Sequence, residues 1–76
     1  MSKIEEYLML FIESDEIKFE NMPEGSRGGN GKKVEYLKEI GLVAWIASHE
    51  KDYPDEAWLL DSGLKIVNEL RKRRKG

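Results

Sequence analysis

The sequence predicts one small α+β domain in which helices pack on a short antiparallel β-hairpin sheet. Three observations carry this. Apolar residues recur at helical spacing near both ends, in KIEEYLMLF and GLKIVNEL. Between them lie two short apolar and aromatic runs, LVAWIAS and AWLL, separated by the polar, proline-containing HEKDYPDE. The chain has 76 residues, which suits a single core near the lower limit for self-support.

The first element is a helix over SKIEEYLMLFIES. Ser2 and Glu5 fit the capping box, in which each side chain satisfies one orphan backbone donor. Ile4, Tyr7, Leu8 and Phe11 form the expected core stripe, and Met9, Leu10 and Ile12 widen it. The widening means burial on two sides or contact with a partner. In DEIKFENM, Ile17 and Phe19 alternate with Lys18 and Glu20, as in a short strand with one buried face.

Pro23 closes that strand, and the glycine-rich EGSRGGNGKK reads as a turn or loop. A helix then follows over KKVEYLKEI, capped by Asn30 or Gly31, with Val34, Leu37 and Ile40 inward and Tyr36 outward. Gly41 fits the left-handed position that ends a helix, with Leu42 folding back on Leu37. Both faces of LVAWIAS are apolar, which predicts that something covers the second face of this strand. Asp61 or Ser62 is placed to cap a last helix whose Leu64, Val67 and Leu70 point inward.

Composition removes several function classes. There are no cysteines, so neither a disulfide framework nor a thiolate zinc site is available. No apolar run reaches the ~20 residues of a membrane helix, and the acidic start MSKIEEYLML is unlike a signal peptide. The expected location is therefore cytoplasmic, with no membrane partner. The net charge of −2 conceals an asymmetry, because RKRRK at 71–75 contains only bases. Such a tail makes either a local anion-binding surface or a solvated helix end that complements the helix dipole.

At this point the chain resembles the winged-helix family of helix-turn-helix domains. LKEIGLVAW looks like the end of a recognition helix running into the first wing strand. WLLDSGLKIVNEL looks like the second wing strand entering a terminal helix, with Leu59, Asp61, Ser62 and Gly63 matching and Leu60 in place of the usual threonine. The resemblance implies a single winged-helix-like domain over 1–76 with a basic tail at 71–76. The family's helix before the recognition helix is expected to be degenerate or missing, since only NMPEGSRGGN fills its place.

Enzymatic readings find no constellation to rest on. A phosphate-binding Walker loop needs glycine where Ser26 stands and a hydroxyl where Lys33 stands. His49 is the single histidine, in an expected polar loop, so no nucleophilic triad or transition-metal cluster forms around it. No catalytic residue, metal, cofactor or small-molecule substrate is expected.

Double-stranded DNA is the expected partner, which makes transcription regulation the expected role. The candidate contacts are Arg27, Lys32, Lys33, Tyr36, Lys51, Arg71, Lys72, Arg73 and Arg74. Lys32 and Lys33 sit in the first turn of that expected helix, where cations oppose the dipole unless an anion docks. The rival expectation is a protein-interaction or dimerisation module whose contacts include Met9, Leu10 and Trp45. A homodimer would satisfy both.

Overall fold

The computed structural model describes residues 1–48 and 50–75. Helix α1, Lys3–Leu8, opens on the expected capping box: Glu5 N–H donates to Ser2 Oγ at 3.2 Å and Ser2 N–H donates to Glu5 Oε1 at 3.1 Å. It is shorter than the sequence pattern implied. After Leu8 the backbone tightens into a 3₁₀ turn, Met9–Phe11, which drives Phe11 fully into the core. Strand β1, Glu16–Lys18, follows, and a second 3₁₀ turn, Phe19–Asn21, buries Phe19 completely.

Helix α2 corrects the sequence reading most. It runs Glu24–Glu39, so EGSRGGNGKK is helical rather than a turn or loop, and Asn30 and Gly31 lie inside the helix rather than capping it. Pro23 stands at the N-cap position in an extended conformation, where its missing N–H costs nothing. Several tertiary contacts offset the poor helix propensity of the glycines. Arg27 Nε donates to Met22 O and its Nη2 to Glu20 O, both at 3.0 Å, tying the first turns to the preceding 3₁₀ segment. Asn30 Nδ2 contacts Met22 Sδ at 3.3 Å. Val34 and Leu37, fully buried, anchor the other half.

The end of α2 is as expected. Gly41 has φ of 81°, Gly41 N–H donates to Lys38 O and Leu42 N–H to Leu37 O, each at 3.0 Å. This is the paired hydrogen-bond pattern of a Schellman cap. Ile40, expected inward, is instead 43% exposed because the cap turns the chain there.

Strands β2, Val43–Ile46, and β3, Glu56–Leu59, complete a three-stranded antiparallel sheet of order β1-β3-β2. The hairpin and its long connecting loop are as expected, although β2 is shorter than LVAWIAS. The register Glu16–Trp58–Ala44 and Lys18–Glu56–Ile46 sets those six residues on one face. Ile17, Ala57, Trp45, Val43 and Leu59 take the other face and meet the helices. The expectation of a covered second face is met in part: Leu42 is buried and Ala44 half-buried, while Ile46 remains 50% exposed.

Helix α3, Asp61–Lys75, carries Val67 and Leu70 into the core, with Leu64 partly buried. Ser62 Oγ donates to Gly41 O at 2.6 Å, joining the start of α3 to the cap of α2 rather than capping its own helix. Gly63 lies so close to Leu42 O that a Cβ there would overlap it. No described helix is long and apolar enough to cross a membrane.

Candidate nucleic-acid interface

The seam between α2 and the β2–β3 loop is fixed by Gly31. A Cβ at this position would lie 2.8 Å from Tyr53 Cβ and 2.9 Å from both Asp52 O and Tyr53 Cα, so only glycine lets the loop backbone settle on the helix. Tyr53 then stacks on Phe19, with ring centroids 5.9 Å apart and planes 15° from parallel. The same ring receives two cations from distant parts of the chain. Arg27 Cζ is 5.9 Å and Lys51 Nζ 5.3 Å from its centroid.

Among the described residues, two clefts of more than about 300 Å³ flank the loop. One, of about 310 Å³, is lined by Lys18, Arg27, Lys51 and Tyr53 together with the acids Glu20, Asp55 and Glu56. The other, of about 530 Å³, lies between the helix face Gly28, Gly29, Lys32 and Glu35 and the loop residues Lys51 and Asp52. Gly25, Gly28 and Gly29 have open space where a Cβ would stand, so the helix backbone is bare on this side.

Asp55 holds the loop in shape. Its carboxylate accepts from the Ser48 backbone N–H at 2.7 Å, from the Ser48 hydroxyl, and from Lys51 Nζ at 3.0 Å. These donors, the Ser48 hydroxyl first, hold the Asp55 carboxyl well below the usual carboxylate range. His49 lies outside the described residues, so the sequence reading of it has no structural counterpart.

The expected contact residues thus divide into three neighbourhoods. Arg27, Lys32 and Lys51 surround the seam. Lys33 and Tyr36 face α1 instead: Tyr36 meets Tyr7 edge-on at 5.6 Å, Lys3 lies 4.7 Å from the Tyr36 ring and Lys33 lies 5.7 Å from the Tyr7 ring. Tyr36 was expected outward; it is partly buried because Tyr7 and Lys3 occupy its ring.

The third neighbourhood is the end of α3. Arg71 pairs with Asp15 at 2.8 Å, Arg73 with Glu5 and Arg74 with Glu13 at 2.9 Å each, while Lys72 pairs with Glu69 at 3.4 Å. Glu5 is held below its ordinary pKa first by the Ser2 backbone N–H and then by Arg73.

The expected interface residues Met9, Leu10 and Trp45 pack, partly buried, against the core, and Lys38 Nζ sits 5.6 Å from the Trp45 ring. The indole N–H of Trp45 is buried without an acceptor. Apolar surface is exposed elsewhere, at Ile40, Ile46 and Leu60.

Tyr53 and Lys18 are the site residues that sequence reasoning missed. The signal for Tyr53 was an aromatic residue directly before a proline in an otherwise polar loop, a combination that favours an ordered turn. Lys18 gave no signal beyond strand alternation. Among the described residues no group of three or more His, Cys, Asp or Glu side chains is placed to hold a metal ion. Comparison with protein-family models, with curated proteins and with solved structures found no match.

Proposed function

We propose that this chain is a non-enzymatic, cytoplasmic DNA-binding protein, a small transcriptional regulator that sets the seam between α2 and the β2–β3 loop against a phosphate backbone. The observation that carries the reading is the convergence of Arg27 and Lys51 on Tyr53, with Lys32 across the adjoining cleft. The bare glycine face supports it, since phosphate oxygens approach a helix more closely where no Cβ intervenes. The order α1-β1-α2-β2-β3-α3 is compatible with a winged-helix relationship in which the two helices of a helix-turn-helix are replaced by one.

Glu35 and Asp52 line the same cleft, so binding is expected to be weak. Three phosphates neutralised by Arg27, Lys32 and Lys51 give a log-log salt slope of about −3 on duplex DNA. Fluorescence anisotropy on a mixed-sequence duplex across a salt series measures it. Lys32→Glu with Lys51→Glu is expected to abolish binding. An affinity unchanged by this double charge reversal rules out the seam.

A second reading, protein docking or homodimerisation, is favoured by one observation: the sheet face on which Ile46 is exposed beside half-buried Ala44 and Trp58. It calls for a concentration-dependent mass in light scattering that Ile46→Glu removes. A monomer at high concentration counts against the homodimer.

A further inference from the structure

Arg71, Arg73 and Arg74 meet α1 and the segment after it in two different ways. Arg71 is saturated. Its Nε donates to Ile12 O at 3.1 Å, its Nη2 to Phe11 O at 2.9 Å and to Asp15 at 2.8 Å, and its Nη1 to Asn68 Oδ1 at 3.1 Å. Those two carbonyls close the 3₁₀ turn after α1, so Arg71 fixes the end of α3 to the body of the domain. Among the described residues, Arg73 and Arg74 each engage one carboxylate through Nη1, Glu5 and Glu13 respectively, at 2.9 Å. Their side chains are 67% and 55% exposed. A guanidinium carries five donors, so each keeps a free edge of the kind that grips a phosphate. A cleft of about 360 Å³ lined by Ile12, Glu13, Arg71 and Arg74 opens beside them.

We infer that Glu5 and Glu13 act as internal substitutes for phosphate, masking a second polyanion-binding surface made by Arg73 and Arg74, which a polyphosphate backbone engages by displacing them. The identification of that polyanion as nucleic acid rests on the DNA-binding reading above. Arg71 keeps the surface in place during the exchange, because two of its four bonds go to backbone carbonyls that no phosphate replaces. The Arg74–Glu13 pair is exposed on both sides and the Arg73–Glu5 pair on its arginine side, with Glu5 itself 21% exposed, so both are open to exchange. The masking also accounts for a basic tail on a chain of net charge −2: its arginines are already matched at rest.

The test is Glu5→Gln with Glu13→Gln. Glutamine at position 5 retains the capping box, so α1 is kept while both charges go. Glu6→Gln with Glu16→Gln is the control: it makes the same change of net charge at exposed acids that pair with no arginine among the described residues. Against this control, the unmasked variant is expected to bind duplex DNA about three- to tenfold more tightly. Its salt slope is expected to steepen by roughly 2, as two further cations engage. Adding Arg73→Gln and Arg74→Gln should cancel both gains.

Equal affinity and equal slope in the unmasked and control variants overturn the inference while leaving the seam untouched. If no variant binds duplex DNA, the DNA reading falls and a heparin column decides the masking. Elution of the unmasked variant at higher salt than the control supports it, and co-elution overturns it.

Discussion

Alanine at Gly28 and alanine at Gly31 make opposite demands on the same helix. Both positions lie inside α2, where glycine is less favourable than alanine by about 0.5–1 kcal/mol because it surrenders more backbone freedom on folding. At Gly28 a Cβ meets nothing within 4 Å, so the full gain is realised. For a domain of this size, that raises Tm by roughly 2–8 °C. At Gly31 the same gain is opposed by overlap with Asp52 O and with Tyr53 Cα and Cβ, all closer than 3.0 Å. Two of these are backbone atoms, so the loop itself must move, at about 1–3 kcal/mol. Gly31→Ala is therefore expected to lower stability by up to about 2.5 kcal/mol. Urea denaturation followed by tryptophan fluorescence reads both variants. A destabilised Gly28→Ala would mean the segment is not helical, and a stabilised Gly31→Ala would mean the loop does not rest on it.

Three further outcomes follow from the same geometry. Gly41→Ala forces a side chain into the left-handed region at φ 81° and is expected to cost about 1–2 kcal/mol in urea denaturation, with Gly41→Asn costing less. Gly63→Ala pushes a methyl into Leu42 O and should lower Tm, because that oxygen also accepts from Leu60 N–H at 3.0 Å. Asp55 has its carboxyl pKa depressed in the folded chain, so its stabilisation is complete above the ordinary carboxylate range and lost as pH falls below it towards the depressed value. The difference in urea midpoint between the native chain and Asp55→Asn should then be largest near pH 6 and shrink towards pH 2.

Local chemistry made much of this architecture legible. Ser2 and Glu5 declared the start of α1, Gly41 and Leu42 declared the end of α2, and Leu8, Phe11, Val34, Leu37, Val67 and Leu70 all proved buried. What could not be read was decided by contacts between distant residues. Gly28 and Gly29 have poor helix propensity, and distant contacts such as Arg27 on the Glu20 and Met22 carbonyls and Tyr53 on Gly31 support a helix there. Tyr36 follows the periodicity of an exposed position, yet Tyr7 from α1 reaches its ring. The basic tail was visible as charge, but its pairing with Glu5, Glu13 and Asp15 spans most of the chain. In the candidate site, the cations were legible singly and their grouping around Tyr53 was not.

The most direct measurement of the central claim is an amide NMR titration of the chain with a short mixed-sequence DNA duplex at low salt. The seam predicts shifts concentrated at Gly28, Gly29, Lys32, Lys51 and Asp52, fading as salt is added. Shifts confined to Ala44, Ile46 and Trp58, or no shifts at all, would contradict it.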